Sequence, residues 1–226
     1  MAVNLRRMRA WLAVLLLWPV QASAQVPRTE PLMNMNAVAE ALGVQCSYCH
    51  AGSDFKSYEN PKKEIARQMM AMAREIESKV SAATGRKGDP VAHCASCHRG
   101  VPVPRSLNEI MTQTINESGV EAAIAKYRDL RKQFFARDTY DFRESGILGL
   151  AQRLAESRPD DAIALLEMNL EFNPRSTMSY VVMSRAHTRK GNKDAALQVL
   201  RKALELEPEN GIVKGYLYQL DPNALR

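Results

Sequence analysis

The chain has 226 residues, which is enough for one large domain or two small ones. It carries 31 basic and 25 acidic residues, for a formal net charge of +6 at pH 7. Three of the basic residues lie within the first nine positions, and the chain without them has a formal charge of +3, which argues against a nucleic-acid-binding protein that depends on bulk electrostatic attraction.

The first 24 residues have the pattern of a secretory signal peptide. Arg6, Arg7 and Arg9 are followed by an apolar stretch over residues 11–20 and by small residues that end at Ala24. Ten apolar residues are about half of what a transmembrane helix needs, so we expect a cleaved signal rather than a membrane anchor. The predicted mature protein begins after Ala24, has a formal charge of +3 without the three arginines, and is periplasmic or peripheral at the membrane, with no transmembrane segment.

All four cysteines fall in two copies of one short motif. The copies are Cys46-Ser47-Tyr48-Cys49-His50 and Cys94-Ala95-Ser96-Cys97-His98. Two cysteines three positions apart on a tight turn can bond the two vinyl groups of a haem, and the histidine that follows can ligate its iron. The motifs therefore predict two covalently bound haem c groups, with His50 and His98 as the proximal ligands.

Three other interpretations explain less of this pattern. Disulfides suit an exported protein, but here they would close only tight loops and leave the two histidines unexplained. A zinc ribbon usually separates its cysteine pairs by about 15–20 residues, a much shorter interval than the one between these two pairs. A thioredoxin-like redox site needs a strand–helix–strand context, and the sequence has no strand pattern.

Two predicted helices place methionines ahead of the haem motifs. The first spans residues 31–42 and ends at Gly43, and the second begins at Asn60 with Pro61 in its first turn. Their apolar faces carry Met35, Val38, Ala39 and Leu42 on the first helix, and Ile65, Met69, Met72 and Ile76 on the second.

Methionine on a helix face more often packs than binds a metal. Each haem iron, however, needs a sixth ligand or an open site, and only two other histidines are available. His93 adjoins Cys94, so it could serve only the other haem, and His187 lies in the C-terminal helices, where packing is the favoured role. The methionines therefore remain the better candidates.

The region of the motifs resembles the cytochrome c subunit of photosynthetic reaction centres. Three stretches carry the resemblance, in the order and spacing of that family, over roughly residues 30–105. They are Leu42-Gly43-Val44-Gln45-Cys46-Ser47-Tyr48-Cys49-His50, Ala66-Arg67-Gln68-Met69-Met70-Ala71-Met72, and Cys94-Ala95-Ser96-Cys97-His98-Arg99-Gly100 with Pro102 and Pro104. Familiar members carry two pairs of haems, whereas this chain has one pair of motifs.

The resemblance implies the sixth ligands and a partner. In the family a helix methionine ligates each iron, which implies Met35 for the first haem and Met69 for the second, with Met33 and Met72 as the nearest alternatives. It also implies electron transfer to a membrane-bound reaction centre core, where the subunit re-reduces the photooxidised primary donor.

The chain after Pro104 lacks cysteine and contains an internal repeat, in which two segments align with each other. The aligned residues are Asp160, Ala162, Ile163, Leu166, Leu170, Phe172 and Pro174 with Asp194, Ala196, Leu197, Leu200, Leu204, Leu206 and Pro208. Their period of about 34 residues resembles that of the tetratricopeptide repeat, a helical hairpin. We expect flanking helices at residues 119–135 and 211–220, and either a surface for a docking partner or a scaffold that shields the haem domain.

These elements predict an all-α protein with a signal peptide (1–24), a small dihaem cytochrome c domain (25–105) and tetratricopeptide-like helical hairpins (106–226). The predicted function is periplasmic electron transfer between redox proteins, without enzyme activity. The alternatives are a general respiratory carrier, a dihaem peroxidase-like enzyme and a haem sensor. Methionine on both irons would disfavour the enzyme, because an enzyme needs an open or weakly held coordination position.

Overall fold

The computed structural model describes residues 34–52, 54–86 and 92–224, and within these ranges all regular structure is helical. The predicted all-α fold class is therefore confirmed. In chain order the helices are α1 (Met35–Leu42), α2 (Pro61–Thr84), α3 (Cys94–His98), α4 (Leu107–Phe134), α5 (Glu144–Leu154), α6 (Pro159–Phe172), α7 (Thr177–Arg189), α8 (Lys193–Leu206) and α9 (Gly211–Leu220). The predicted signal peptide and Met33 lie outside the described residues. In the part of the chain that is described, no helix combines the length and apolar character needed to cross a membrane.

Local capping signals define the ends of the first two helices. α1 ends before Gly43, which adopts the left-handed conformation with φ +63°, as the sequence predicts. Asn60 caps α2, because its side-chain oxygen accepts a hydrogen bond from the backbone N–H of Lys62 at 3.0 Å, and Pro61 occupies the first helical position. These residues act on their immediate neighbours, which is why the helix ends could be predicted from the sequence.

The helix α4 extends further towards the N-terminus than the sequence analysis predicts. The expected helix over residues 119–135 corresponds to its second half, since α4 begins at Leu107 and bends at Gly119, where φ is 85°. A capping box stabilises its start. The Ser106 hydroxyl accepts from the backbone N–H of Glu109 at 3.2 Å, and the Glu109 carboxylate accepts from the backbone N–H of Ser106 at 2.8 Å.

The chain divides into two compact units. Among the described residues, one unit takes in those of 34–39 and 45–94, and the other takes in Glu40–Val44 and 95–224. The boundary after Cys94 places the rest of the second haem motif, Ala95–His98, in the second unit together with the predicted helical hairpins. The domain boundary expected at residue 105 stays a prediction.

The second unit has an extensive apolar core. Helices α4 to α7 bury one cluster that includes Met111, Tyr127 and Leu166, and helices α7 to α9 bury a second cluster around Leu200 and Leu217. Each Å² of apolar surface removed from water contributes about 25 cal/mol, so these clusters are the main source of stability in this unit.

The helices of the second unit repeat with the predicted period. α6 and α8 each have 14 residues, and their first residues, Pro159 and Lys193, are one period apart. The first residues of α7 and α9, Thr177 and Gly211, are separated by the same interval, and α9 coincides with the flanking helix expected at residues 211–220. Consecutive helices from α5 to α9 pack on one another. The arrangement is that of successive helical hairpins, while their identity as tetratricopeptide repeats stays a prediction.

Candidate functional site

The first cysteine motif forms a tight turn. Cys46–Tyr48 is a 3₁₀ turn, and the backbone N–H of His50 donates to the carbonyl of Cys46 at 3.0 Å. The Cys46 side chain is exposed, while Cys49 is half-buried, and burial raises the pKa of its thiol. The turn therefore presents both thiols and the histidine within one short segment, as attachment of a haem requires.

The start of α2 holds this turn in place. The side-chain amide of Asn60 donates to the carbonyl of Tyr48 at 3.0 Å. The ammonium of Lys62 lies 3.7 Å from the centroid of the Tyr48 ring, which is a cation–π contact. The residue that caps α2 thus also fixes the first motif, a second role that the sequence analysis did not identify.

The His50 ring packs against an aromatic side chain, but its Nδ1 atom makes no hydrogen bond to a described residue. Its ring centroid lies 5.1 Å from that of Phe55, and its Nδ1 atom is buried without a hydrogen-bond partner. Buried polar groups normally have partners. Among the described residues, Nδ1 of His50 has no acceptor, so packing against Phe55 rather than a hydrogen bond at Nδ1 orients this imidazole.

The second motif orients its histidine through a backbone carbonyl. Cys94–His98 forms the short helix α3, in which Cys94 is half-buried and Cys97 is exposed. Nδ1 of His98 lies 3.0 Å from the carbonyl oxygen of Val101. A carbonyl can only accept, so the proton belongs on Nδ1 and the lone pair on Nε2, which is the arrangement that an iron-ligating histidine needs.

A close approach of two glycines joins the end of α1 to the segment after the second motif. The backbone N–H of Gly100 donates to the carbonyl of Ala41 at 2.8 Å. A Cβ atom added to Gly43 would lie 2.1 Å from the carbonyl oxygen of Gly100. The sequence analysis explained Gly43 only as a helix terminator, because nothing in its neighbours indicates this contact with a residue so much later in the chain.

Replacing Gly43 with alanine should destabilise the haem-loaded protein strongly. The left-handed conformation costs a residue with a side chain about 1–2 kcal/mol, and the clash with the Gly100 carbonyl adds to that cost. Gly52 is the matched control, because it also has positive φ (+58°) but nothing within 4 Å of an added Cβ. Thermal denaturation should show a larger fall in Tm for Gly43→Ala than for Gly52→Ala. Equal falls would mean that the close approach contributes nothing.

The methionine candidates lie on exposed apolar surface. Met35, Met69 and Met72 are 37%, 41% and 46% exposed, and Ile65 on the same side of α2 is 56% exposed. No described side chain of the first unit is buried, although α2 alone has 24 residues. An apolar helix face with no protein core over it fits a surface that a large apolar cofactor covers.

The other two histidines lie in different surroundings. His93 is exposed, directly before α3. His187 is half-buried on α7, within the core-bearing second unit, and burial is the main reason that its pKa lies below the usual value. This is the environment expected of a packed helix histidine.

Comparison with known proteins agrees with the motifs and with this geometry. The family model described as the photosynthetic reaction centre cytochrome C subunit matches residues 20–140, which is more than half of the chain. The chain belongs to this family. Membership of a c-type cytochrome family implies covalently bound haem c, and the match reaches beyond the resemblance over residues 30–105 to include all of α4.

The chain is also similar to cytochrome c-554 from Chloroflexus aurantiacus. It is 35% identical to this chain over 79 residues. The alignment covers 35% of this chain and 19% of the relative, so the chain spans about a fifth of that relative's length. The likeness therefore concerns one region of that longer cytochrome and leaves the rest of it unmatched.

Proposed function

We propose that this member of the reaction centre cytochrome family is a periplasmic dihaem electron carrier and not an enzyme. Cys46, Cys49, Cys94 and Cys97 form the thioether bonds, and His50 and His98 are the proximal ligands. Met35 and Met69 are the proposed sixth ligands. Met72 remains the alternative for the second haem, and Met33 remains the alternative for the first. Haem c supplies a one-electron iron couple when it is bound.

The lack of a protein core in the first unit is the strongest support for two haems. Its described side chains include the thiols of the first motif and the exposed apolar face of α2, but none of them is buried. A unit of this size cannot bury enough apolar surface by itself to offset the entropy of folding. Large apolar cofactors bonded to the chain would supply the missing buried surface.

The ligand set supports a carrier over an enzyme or a sensor. Methionine with histidine raises the reduction potential of haem iron and fills both axial positions. Filled positions leave no site for a peroxide or a gaseous ligand. The exposed thioethers of Met35 and Met69 are available for this role, since neither is held in a protein core.

The family supports a photosynthetic reaction centre as the electron acceptor. A respiratory electron carrier is the alternative, because it would use the same haem chemistry. The two roles differ in the protein that accepts the electron and not in the haem ligands. The helical hairpins of the second unit could dock such a partner, and that role stays a prediction.

A light flash given to membranes of the host organism should oxidise this cytochrome. The oxidation, followed by the absorbance of reduced haem, should keep pace with re-reduction of the photooxidised pigment, because one electron passes between them. The control is a strain in which the native gene is deleted and replaced by one that encodes alanine at all four cysteines, Cys46, Cys49, Cys94 and Cys97. Oxidation in darkness by a terminal oxidase, with no response to the flash, would instead identify the respiratory carrier.

A further inference from the structure

A cavity lies beside the second haem motif, entirely within the second unit. Its volume is about 370 Å³. Cys97 and His98 line one side of it, and the α4–α5 loop, residues 135–143, lines another. The residues that line the cavity include Arg99, Arg105, Thr139 and Tyr140.

Two hydrogen bonds fix the α4–α5 loop against the residue that follows the motif. The Thr139 hydroxyl donates to the carbonyl of Arg99 at 2.5 Å, and the Arg99 guanidinium donates to the carbonyl of Asp138 at 3.1 Å. The Tyr140 ring packs edge-on against Phe134, with ring centroids 5.2 Å apart. The cavity wall is therefore held by specific contacts across about 40 residues of sequence.

The two carboxylates at the cavity already accept hydrogen bonds from neighbouring residues. Glu109 accepts hydrogen bonds from the backbone N–H and the hydroxyl of Ser106, at 2.8 and 3.0 Å. Asp141 accepts from the Arg143 guanidinium at 2.6 and 2.8 Å, and these bonds lower its pKa to about 2. The hydrogen bonds from Ser106, with a smaller contribution from the charge of Arg105, lower the pKa of the Glu109 carboxyl, which stays anionic near Arg105.

The N–H groups of the Arg105 guanidinium are available as hydrogen-bond donors. In the described part of the chain its guanidinium makes no hydrogen bond or ion pair, although it lies close enough to Tyr140 and Glu109 to influence both groups. Burial raises the pKa of the Tyr140 phenol, and the positive charge of Arg105 opposes that rise. The phenol is therefore a neutral hydrogen-bond donor at neutral pH, near a guanidinium whose N–H groups form no hydrogen bond.

We propose that Arg105 and the Tyr140 hydroxyl bind a propionate of the haem bonded through Cys97, with Arg99 adding positive charge to the site. A guanidinium binds a carboxylate through two parallel hydrogen bonds, and a phenol adds a third donor. The proposal rests on the proposed function, because it needs a haem on the second motif. If the propionate binds here, the α4–α5 loop of the second unit forms part of the binding site of that haem.

Replacing Arg105 with glutamine should lower the reduction potential of one haem. The ferric state carries one more positive charge than the ferrous state, so removing a nearby cation favours the ferric state. We expect a change of about tenfold in the ratio of oxidised to reduced haem, which corresponds to 59 mV for one electron. Spectroelectrochemical titration of the holoprotein should show this shift for one haem and no shift for the other, with both haems still covalently bound.

Two further variants separate this site from general electrostatics. Arg201→Gln removes the same charge from the exposed surface of α8 and should leave both potentials unchanged. Tyr140→Phe keeps the ring packing and removes only the donor, so it should lower the same potential by less. In Arg105→Gln, the propionate pKa should rise, which moves the pH dependence of that potential to higher pH.

The outcomes distinguish this site from the proposed function. Equal shifts for Arg105→Gln and Arg201→Gln, or no shift with Arg105→Gln in a protein that carries both haems, would overturn the propionate site alone. A wild-type protein with no haem on Cys94 and Cys97 would overturn the dihaem function, and the propionate site with it.

Discussion

Replacing Cys94 and Cys97 together with alanine is expected to halve the covalently bound haem of the purified protein. Each motif is expected to hold its haem through two thioether bonds, which survive denaturation and acid-acetone extraction. The haem that remains should be bonded to Cys46 and Cys49. Mass spectrometry of the denatured chain and the spectrum of the pyridine haemochrome would measure the loss.

The reciprocal variant is the matched control for this experiment. Alanine at Cys46 and Cys49 should leave the other half of the haem, and alanine at all four positions should leave none. Single alanine variants should retain haem through one thioether, with a shifted absorbance band. The dihaem function would be wrong if the wild-type chain, matured by a cytochrome c assembly system, carried zinc or disulfides at these cysteines instead.

Replacing Met69 with leucine is expected to open the second haem iron to carbon monoxide. Leucine conserves the volume of methionine but cannot ligate iron, so packing changes little while the sixth position becomes vacant. The oxidised protein should lose about half of its weak near-infrared band, which arises from sulfur-to-iron charge transfer. Met35→Leu should remove the other half, because we propose that this residue serves the first haem.

Met72→Leu tests the choice of methionine on α2. Met69 and Met72 are three residues apart on the same helix and are similarly exposed, at 41% and 46%, so burial does not separate them. If Met69 is the ligand, Met72→Leu should leave the near-infrared band and carbon monoxide binding unchanged. Loss of half of the band in Met72→Leu, with no change in Met69→Leu, would move the ligand one turn along the helix.

Much of this protein could be read from short stretches of its sequence. The two cysteine motifs, the cap at Asn60 and the terminator at Gly43 depend on neighbours within a few residues. The internal repeat of the C-terminal half predicts helix starts that the fold reproduces in α6 and α8. The all-α class follows from the same periodicity, because apolar residues at helical spacing need no long-range information to be recognised.

The start of α4 shows how a local signal can still be missed. Ser106 and Glu109 form a capping box that the sequence contains, but the expected helix began only at residue 119. Gly119 itself has a non-helical conformation inside α4, and the expected helix covered only the part from this residue onward.

The surroundings of the predicted site depend on how distant segments pack. The spacing of Cys97 and His98 predicts a haem motif from the sequence, but the cavity beside them depends on Thr139 and Tyr140, about 40 residues later. In the same way, the contact between Gly43 and Gly100 results from packing, and no repeating pattern in the sequence predicts it. A haem motif can be recognised in a sequence because its chemistry requires a fixed spacing of cysteines and histidine. Contacts between distant segments depend instead on how the whole chain packs, and many different sequences can form them.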